Sequence, residues 1–201
     1  MKYLKITVLA FSILSAAFPA AAEVAVGSAA PEFTLTDSQG TSHSLADFKG
    51  KFVVLEWLNH DCPFIKKHYD SGNMQKLQKT YADKGVAWLS INSSAEGKQG
   101  NYPAEKWNEM TKAKNAAPAA VLLDGDGKVG KAYGAKTTPH MFVINPEGKL
   151  IYAGALDSTP SPDPADIPKS ENYVQKALDE AMAGQEVSTP STASYGCGVK
   201  Y

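Results

Sequence analysis

The sequence predicts an α/β fold in three layers, an α/β/α sandwich with a β-hairpin added at its amino end. Three observations carry that reading. Phe52, Val53, Val54, Leu55, Trp57 and Leu58 form an apolar, β-branched run with the length of a buried strand, and it breaks abruptly at Asn59-His60-Asp61-Cys62-Pro63. That break opens a helical pattern, and the chain then runs strand, helix, hairpin and helix, the order that builds a sheet with helices on its faces. Ahead of it all, the alternating segment Pro31-Glu32-Phe33-Thr34-Leu35-Thr36-Asp37 and the turn Ser38-Gln39-Gly40 read as the added hairpin, its second strand ending near Leu45.

Each element has a local reason. Residues 1–22 carry Lys2 and Lys5, an apolar segment from Ile6 to Phe18, and Ala20-Ala21-Ala22 before Glu23, the order of a secretory signal peptide. The apolar stretch is too short for a spanning helix, so the chain is read as exported to the periplasm or secreted, without a membrane span. Residues 23–184 are read as one domain and 185–201 as a flexible tail carrying Cys197. After the central strand, Phe64, Ile65 and Tyr69 fall on one helical face, interrupted at Ser71-Gly72. Asn73 then caps a second piece with Met74, Leu77 and Tyr81 inward, and Gly85 closes it. Val86–Ile91 reads as a buried strand, Pro103 to about Lys114 as a helix, and Ala119–Leu123 as a further strand. Asp124-Gly125-Asp126-Gly127-Lys128 lacks the third acidic ligand and closing Glu of a calcium loop, so it is a turn. Lys128–Ala135 is a connection to Thr137-Thr138-Pro139-His140, and Met141–Asn145 with Lys149–Ala153 form a hairpin across Asn145-Pro146-Glu147-Gly148. Ala155–Lys169 is a loop, and Glu171–Met182 a last helix stopped by Gly184.

Composition narrows the function classes. The whole chain carries a net charge of −1, and without residues 1–22 it has 18 Lys against 21 acids, or −3. That balance argues against nucleic acid and against an anionic membrane surface as partners. No residue is arginine, so no bidentate guanidinium is available.

The chemistry gathers at Cys62. Pro63 suits the first position of a helix, where its missing N–H would have had no partner, and this leaves Cys62 as N-cap. There the unpaired N–H groups and the positive end of the helix dipole lower a thiol's pKa and favour the thiolate. The second cysteine, Cys197, lies 135 residues further on in a compartment that permits disulfides.

These motifs resemble the thioredoxin-fold redoxins, and within them the peroxiredoxin-like 1 group. The matching residues are Pro31-Glu32-Phe33-Thr34-Leu35, Asn59-His60-Asp61-Cys62-Pro63-Phe64, Thr138-Pro139, Asn172-Tyr173 and Gly196-Cys197-Gly198-Val199-Lys200-Tyr201. The resemblance implies a thioredoxin-like three-layer α/β/α sandwich. The chain departs from thioredoxins in having Ile65 three residues after Cys62, and from typical peroxiredoxins in having Leu55 and Asn59 where Pro and Thr or Ser belong.

On that resemblance Cys62 is the attacking thiolate of an exported thiol oxidoreductase, acting on a hydroperoxide or a disulfide and recharged by a thiol reductant protein. Glu56, a carboxylate inside an apolar strand, has a pKa raised by burial and handles the Cys62 proton. Pro139 corresponds to a cis-proline facing the cysteine, with Thr138, His140, Asn59 and His60 as the neighbouring substrate-binding positions. His140 faces the thiol or caps its strand; His60 steadies the thiolate or faces solvent. Lys66, Lys67 and His68 are read as a solvated helix face. Cys197 is the resolving cysteine, from its own chain or across a homodimer, or else an unpaired thiol. This reading needs no cofactor and no metal. The alternative is a copper-binding carrier using Cys62 with His60 or His140.

Overall fold

A computed structural model describes residues 24–201; the signal-peptide reading lies outside the described residues. In chain order the elements are β1 (Thr34–Asp37), β2 (Ser42–Ser44), β3 (Val53–Trp57), α1 (Pro63–Asp70), α2 (Asn73–Ala82), β4 (Ala87–Asn92), α3 (Ala104–Ala113), β5 (Ala120–Leu123), α4 (Lys128–Tyr133), β6 (Thr137–Thr138), β7 (His140–Ile144), β8 (Leu150–Gly154), α5 (Tyr173–Met182) and β9 (Cys197–Gly198). Seven strands form one mixed sheet in the order β2-β1-β5-β4-β3-β7-β8, and β6 pairs with β9 in a second, two-stranded ladder.

β3 sits inside the large sheet, parallel to β4 and antiparallel to β7, with Leu55 opposite Leu89 on one side and Phe142 on the other. A strand buried on both faces reads as a continuous apolar run, and every residue of β3 is buried. The pleat sends alternate side chains to opposite faces. Val54 and Leu58 join Cys62, Ile65, Tyr69, Trp88, Met141 and Leu178 on the face covered by α1, α2 and α5. Val53, Leu55 and Trp57 join Phe33, Leu45, Tyr133 and Phe142 on the other, where α4, a 3₁₀ turn at Leu45–Phe48 and the amino-terminal segment form a thinner layer.

Three stretches differ from the sequence reading. Lys128–Tyr133 is a short helix bounded by Gly127 and Gly134, both left-handed; six residues are too few to show a periodic apolar face. The loop after β8 holds a 3₁₀ helix at Pro164–Lys169. The third stretch is the tail. Its polar, small-residue composition reads as mobile, yet residues 185–201 lie against the body. Thr192 N–H donates to the Ala153 carbonyl and Ala153 N–H to the Pro190 carbonyl, the Thr192 hydroxyl bonds the Tyr152 hydroxyl, Ala95 N–H donates to the Lys200 carbonyl, and Tyr201 Oη donates to the Ala135 carbonyl. All of these partners are distant in sequence, which is why local composition does not reveal them. The amino-terminal hairpin is likewise part of the central sheet, because β1 pairs antiparallel with β5.

Candidate active site

The carboxyl end of β3 delivers Cys62 to the start of α1. Asn59 shapes the turn: its carbonyl accepts from the Cys62 N–H at 3.0 Å, and its Oδ1 accepts from the Asp61 N–H at 3.0 Å. Pro63 follows as the first helical residue, with Cys62 in the extended N-cap conformation. Tyr102 Oη donates to Asp61 at 2.6 Å, so a loop from the far side of β4 closes over the turn. Asn59 is itself buried and donates through Nδ2 to the Gln99 carbonyl, so it holds the cysteine loop rather than presenting a polar edge to a substrate.

Across from Cys62 lies the Thr138–Pro139 segment. That peptide bond is cis, and the Thr138 carbonyl accepts from Cys62 Sγ at 2.9 Å. The tail returns here: Thr138 pairs with Cys197 and Thr137 with Gly198. The Cys197 thiol thereby comes within hydrogen-bonding reach of Cys62. Both thiols are free. Cys62 is only 1% exposed, whereas Cys197 keeps part of its surface open.

Burial works against a Cys62 thiolate, but hydrogen bonds from the Cys197 thiol, the Thr138 side chain and the backbone N–H groups of Cys197 and Ile65 outweigh it. The Cys62 thiol sits below its ordinary value. Donation to the Thr138 carbonyl favours the protonated form and is given up on ionisation. For Cys197, burial and donation to Cys62 act together, pushing the thiol up to about 11. The pair therefore loses its first proton from Cys62 and keeps its second on Cys197.

The other expected site residues divide. Glu56 faces the same side of the sheet as Cys62 and is fully buried, accepting from Trp88 Nε1 at 2.8 Å, Tyr69 Oη at 3.0 Å and Ser90 Oγ at 3.1 Å. Burial pushes its carboxyl up to about 6 against those hydrogen bonds. No hydrogen bond joins Glu56 to Cys62 among the described residues, so direct proton transfer between them has no contact to follow. His60 is buried, its ring 5.0 Å from that of Tyr69 and 5.4 Å from that of Trp107. Burial holds it down to about 4, so at neutral pH it carries no charge to steady a thiolate. The pleat turns His140 to the opposite face, where its ring packs 4.4 Å from Phe142 and its Nδ1 accepts from Lys136 N–H. It does not face the thiol. Among the described residues no group of three or more His, Cys, Asp and Glu side chains converges as a metal site would require.

One cluster escapes the sequence reading. Lys67 and His68 are buried, not solvated. Lys67 Nζ pairs with Asp157 Oδ2 at 3.0 Å and donates to the Thr159 carbonyl, and Tyr195 Oη donates to the other oxygen of Asp157. Asp157 thus ties α1, whose N-cap is Cys62, to the tail two residues before Cys197. The partners are separated by 90 and 38 positions, and no local pattern marks them.

The Redoxin family model matches residues 25–173. The chain belongs to the Redoxin family. This redoxin is 32% identical over 146 residues to the thiol-disulfide oxidoreductase ResA of Bacillus subtilis (strain 168), spanning 73% of this chain and 76% of that one. An uncharacterized conserved protein from Geobacillus kaustophilus superposes with a TM-score of 0.78 at 28% identity, over 88% of this redoxin and 92% of that chain. The thioredoxin domain of a thiol-disulfide oxidoreductase from Bacteroides vulgatus does so with a TM-score of 0.52 at 28% identity, over 65% and 89%. The fold is thioredoxin-like.

Proposed function

We propose that this redoxin is a thiol-disulfide oxidoreductase that cycles Cys62 and Cys197 between a dithiol and a disulfide within one chain. The observation that carries the reading is the contact of the two thiols under the Thr138–Pro139 segment. Oxidation joins the two sulfurs and releases two protons and two electrons, which a substrate disulfide takes up as two thiols; a thiol reductant reverses the step. Cys62 supplies the stabilised thiolate and Cys197 the second thiol, placed from its own tail rather than from a second subunit.

Disulfide exchange has more support than hydroperoxide reduction. Cys62 is covered, and the chain has no arginine to polarise a peroxide. Copper carriage on Cys62 with His140 has little, because His140 lies on the other face of the sheet. Export rests on the pattern of residues 1–22, and no helix among the described residues is long and apolar enough to cross a membrane.

The test is exchange with a fluorogenic peptide disulfide, alongside mass analysis of the oxidised chain. Cys62→Ser and Cys197→Ser are each expected to lower turnover at least about a hundredfold, with a Cys62–Cys197 disulfide in the oxidised wild type. Full turnover in either variant, or a disulfide that joins two chains, overturns the reading.

A further inference from the structure

We propose that the exchange partner meets Cys197, and that Cys62 is the internal cysteine that completes each exchange, the reverse of the order expected from the sequence. This inference rests on the disulfide-exchange reading above and assigns its entry point.

Thiol–disulfide exchange proceeds through attack of a thiolate on sulfur along the axis of the bond that breaks, so the attacker comes from the side opposite the leaving sulfur. Cys62 lies in the cluster with Leu58, Ile65 and Met141, is 1% exposed, and has Cys197 laid against it from the tail. An attacker in line on Cys62 Sγ would approach from the packed interior. An attacker on Cys197 Sγ comes instead from the side opposite Cys62, onto a residue that keeps part of its surface open.

The tail is seated well enough to keep this arrangement. Tyr195 is held by Asp157 and its ring lies 5.6 Å from that of Phe64. Gly196 passes so close to Thr138 that a Cβ there would stand 2.2 Å from the Thr138 carbonyl oxygen. Val199 N–H bonds the Lys136 carbonyl. Lys200 acts on the Cys197 sulfur with its positive charge, which also favours an approaching thiolate. The leaving-group order agrees, because the sulfur with the lower pKa departs more readily, and that sulfur is Cys62.

In the reductive direction an incoming thiolate attacks Cys197, forming a mixed disulfide there and breaking the Cys62–Cys197 bond, with the electron pair leaving on Cys62. A second thiolate then attacks the partner's sulfur in the mixed disulfide; the oxidised partner departs and Cys197 takes up a proton. In the oxidative direction the same steps run backwards. Cys197 gives up its proton and attacks the substrate disulfide, whose S–S bond breaks with one sulfur leaving as a thiol, and the Cys62 thiolate then attacks Cys197 to expel the second substrate sulfur as a thiolate.

The experiment uses the full oxidised chain mixed with glutathione, quenched in acid at successive times and mapped by mass spectrometry. An early adduct on Cys197 with Cys62 free is expected; an adduct on Cys62 with Cys197 free overturns the proposal. Where neither accumulates, Cys62→Ser and Cys197→Ser chains carrying glutathione on the remaining cysteine decide it by their rates of release with dithiothreitol. The Cys197 adduct should be released at least tenfold faster, and equal or inverted rates overturn the proposal. A starting protein with no Cys62–Cys197 disulfide overturns the function proposed above instead, while the two release rates still decide which sulfur is open to attack.

Discussion

At the scale of single residues, the buried titratable groups set how stability follows pH. Glu56 has a folded value of about 6 against an ordinary 4.5, so its contribution is complete below the ordinary value and is lost as pH rises through about 6. That gap is worth about 2 kcal/mol. His60 and His68 act in the opposite sense. Both are held down to about 4 from 6.5, His68 by burial and by Lys67 against the opposing pull of Asp157. Each contributes stability above the ordinary value and loses it as pH falls through about 4, at most about 3 kcal/mol apiece. Two predictions follow from these signs. Denaturant titrations between pH 4 and 8 should show Glu56→Gln gaining relative to wild type as pH rises through 6, by up to about 2 kcal/mol. A constant offset across that range would mean that Glu56 does not titrate there. His68→Gln should reduce the loss of stability between pH 6.5 and 4, and an unchanged acid limb would exclude His68 as a contributor.

At the scale of elements, the tail from 185 to 201 and the β6–β9 ladder decide what Cys62 meets. Gly196 has a φ of 132° and no room for a Cβ. The clash in Gly196→Ala is with backbone and cannot be relieved by a rotamer, so the tail should lift from Thr138. The readout is the alkylation rate of Cys62 in the reduced protein, expected to rise at least tenfold while the far-ultraviolet circular dichroism is retained; an unchanged rate would mean that the tail does not cover the thiol. Tyr195→Phe removes a hydrogen bond to the buried Asp157 carboxylate and leaves the Lys67 ion pair intact. Hydrogen bonds to charged groups contribute about 1.5–3 kcal/mol. The reduced protein should melt several degrees lower, and its Cys62–Cys197 disulfide should form more slowly. A lower melting temperature with an unchanged oxidation rate would make Tyr195 a structural residue only.

At the scale of the whole molecule, a Cys62–Cys197 bond would close a loop that contains β4, β5, β6, β7, β8 and all five α-helices. Closing a loop of about 135 residues restricts the unfolded chain by about 5 kcal/mol in the chain-entropy model. Oxidised wild type should therefore withstand denaturant better than reduced wild type, and Cys197→Ser should erase the difference between oxidising and reducing conditions. Equal stability of the oxidised and reduced wild type would show that strain in the folded state cancels the gain.

The thioredoxin-like core is legible in the amino-acid sequence. β3, α1, α2 and the β7–β8 hairpin are written in local patterns, because apolar runs, an N-terminal proline and turn residues act over a few positions. Cys62 as a helix cap is legible there too, since a Cys-Pro pair after a buried strand leaves few other conformations. What those side chains face depends on contacts between distant parts of the chain. His140 follows Pro139 in sequence but lies on the far face of the sheet, because the pleat assigns faces once register is set. His60 and Lys67 look solvated in a polar stretch, yet Trp107 packs on one and Asp157 pairs with the other, from 47 and 90 residues away. The meeting of Cys62 with Cys197 is of the same kind. It depends on contacts between the tail and the body across most of the chain, and such contacts leave no periodic trace in a sequence because the residues that make them are never neighbours.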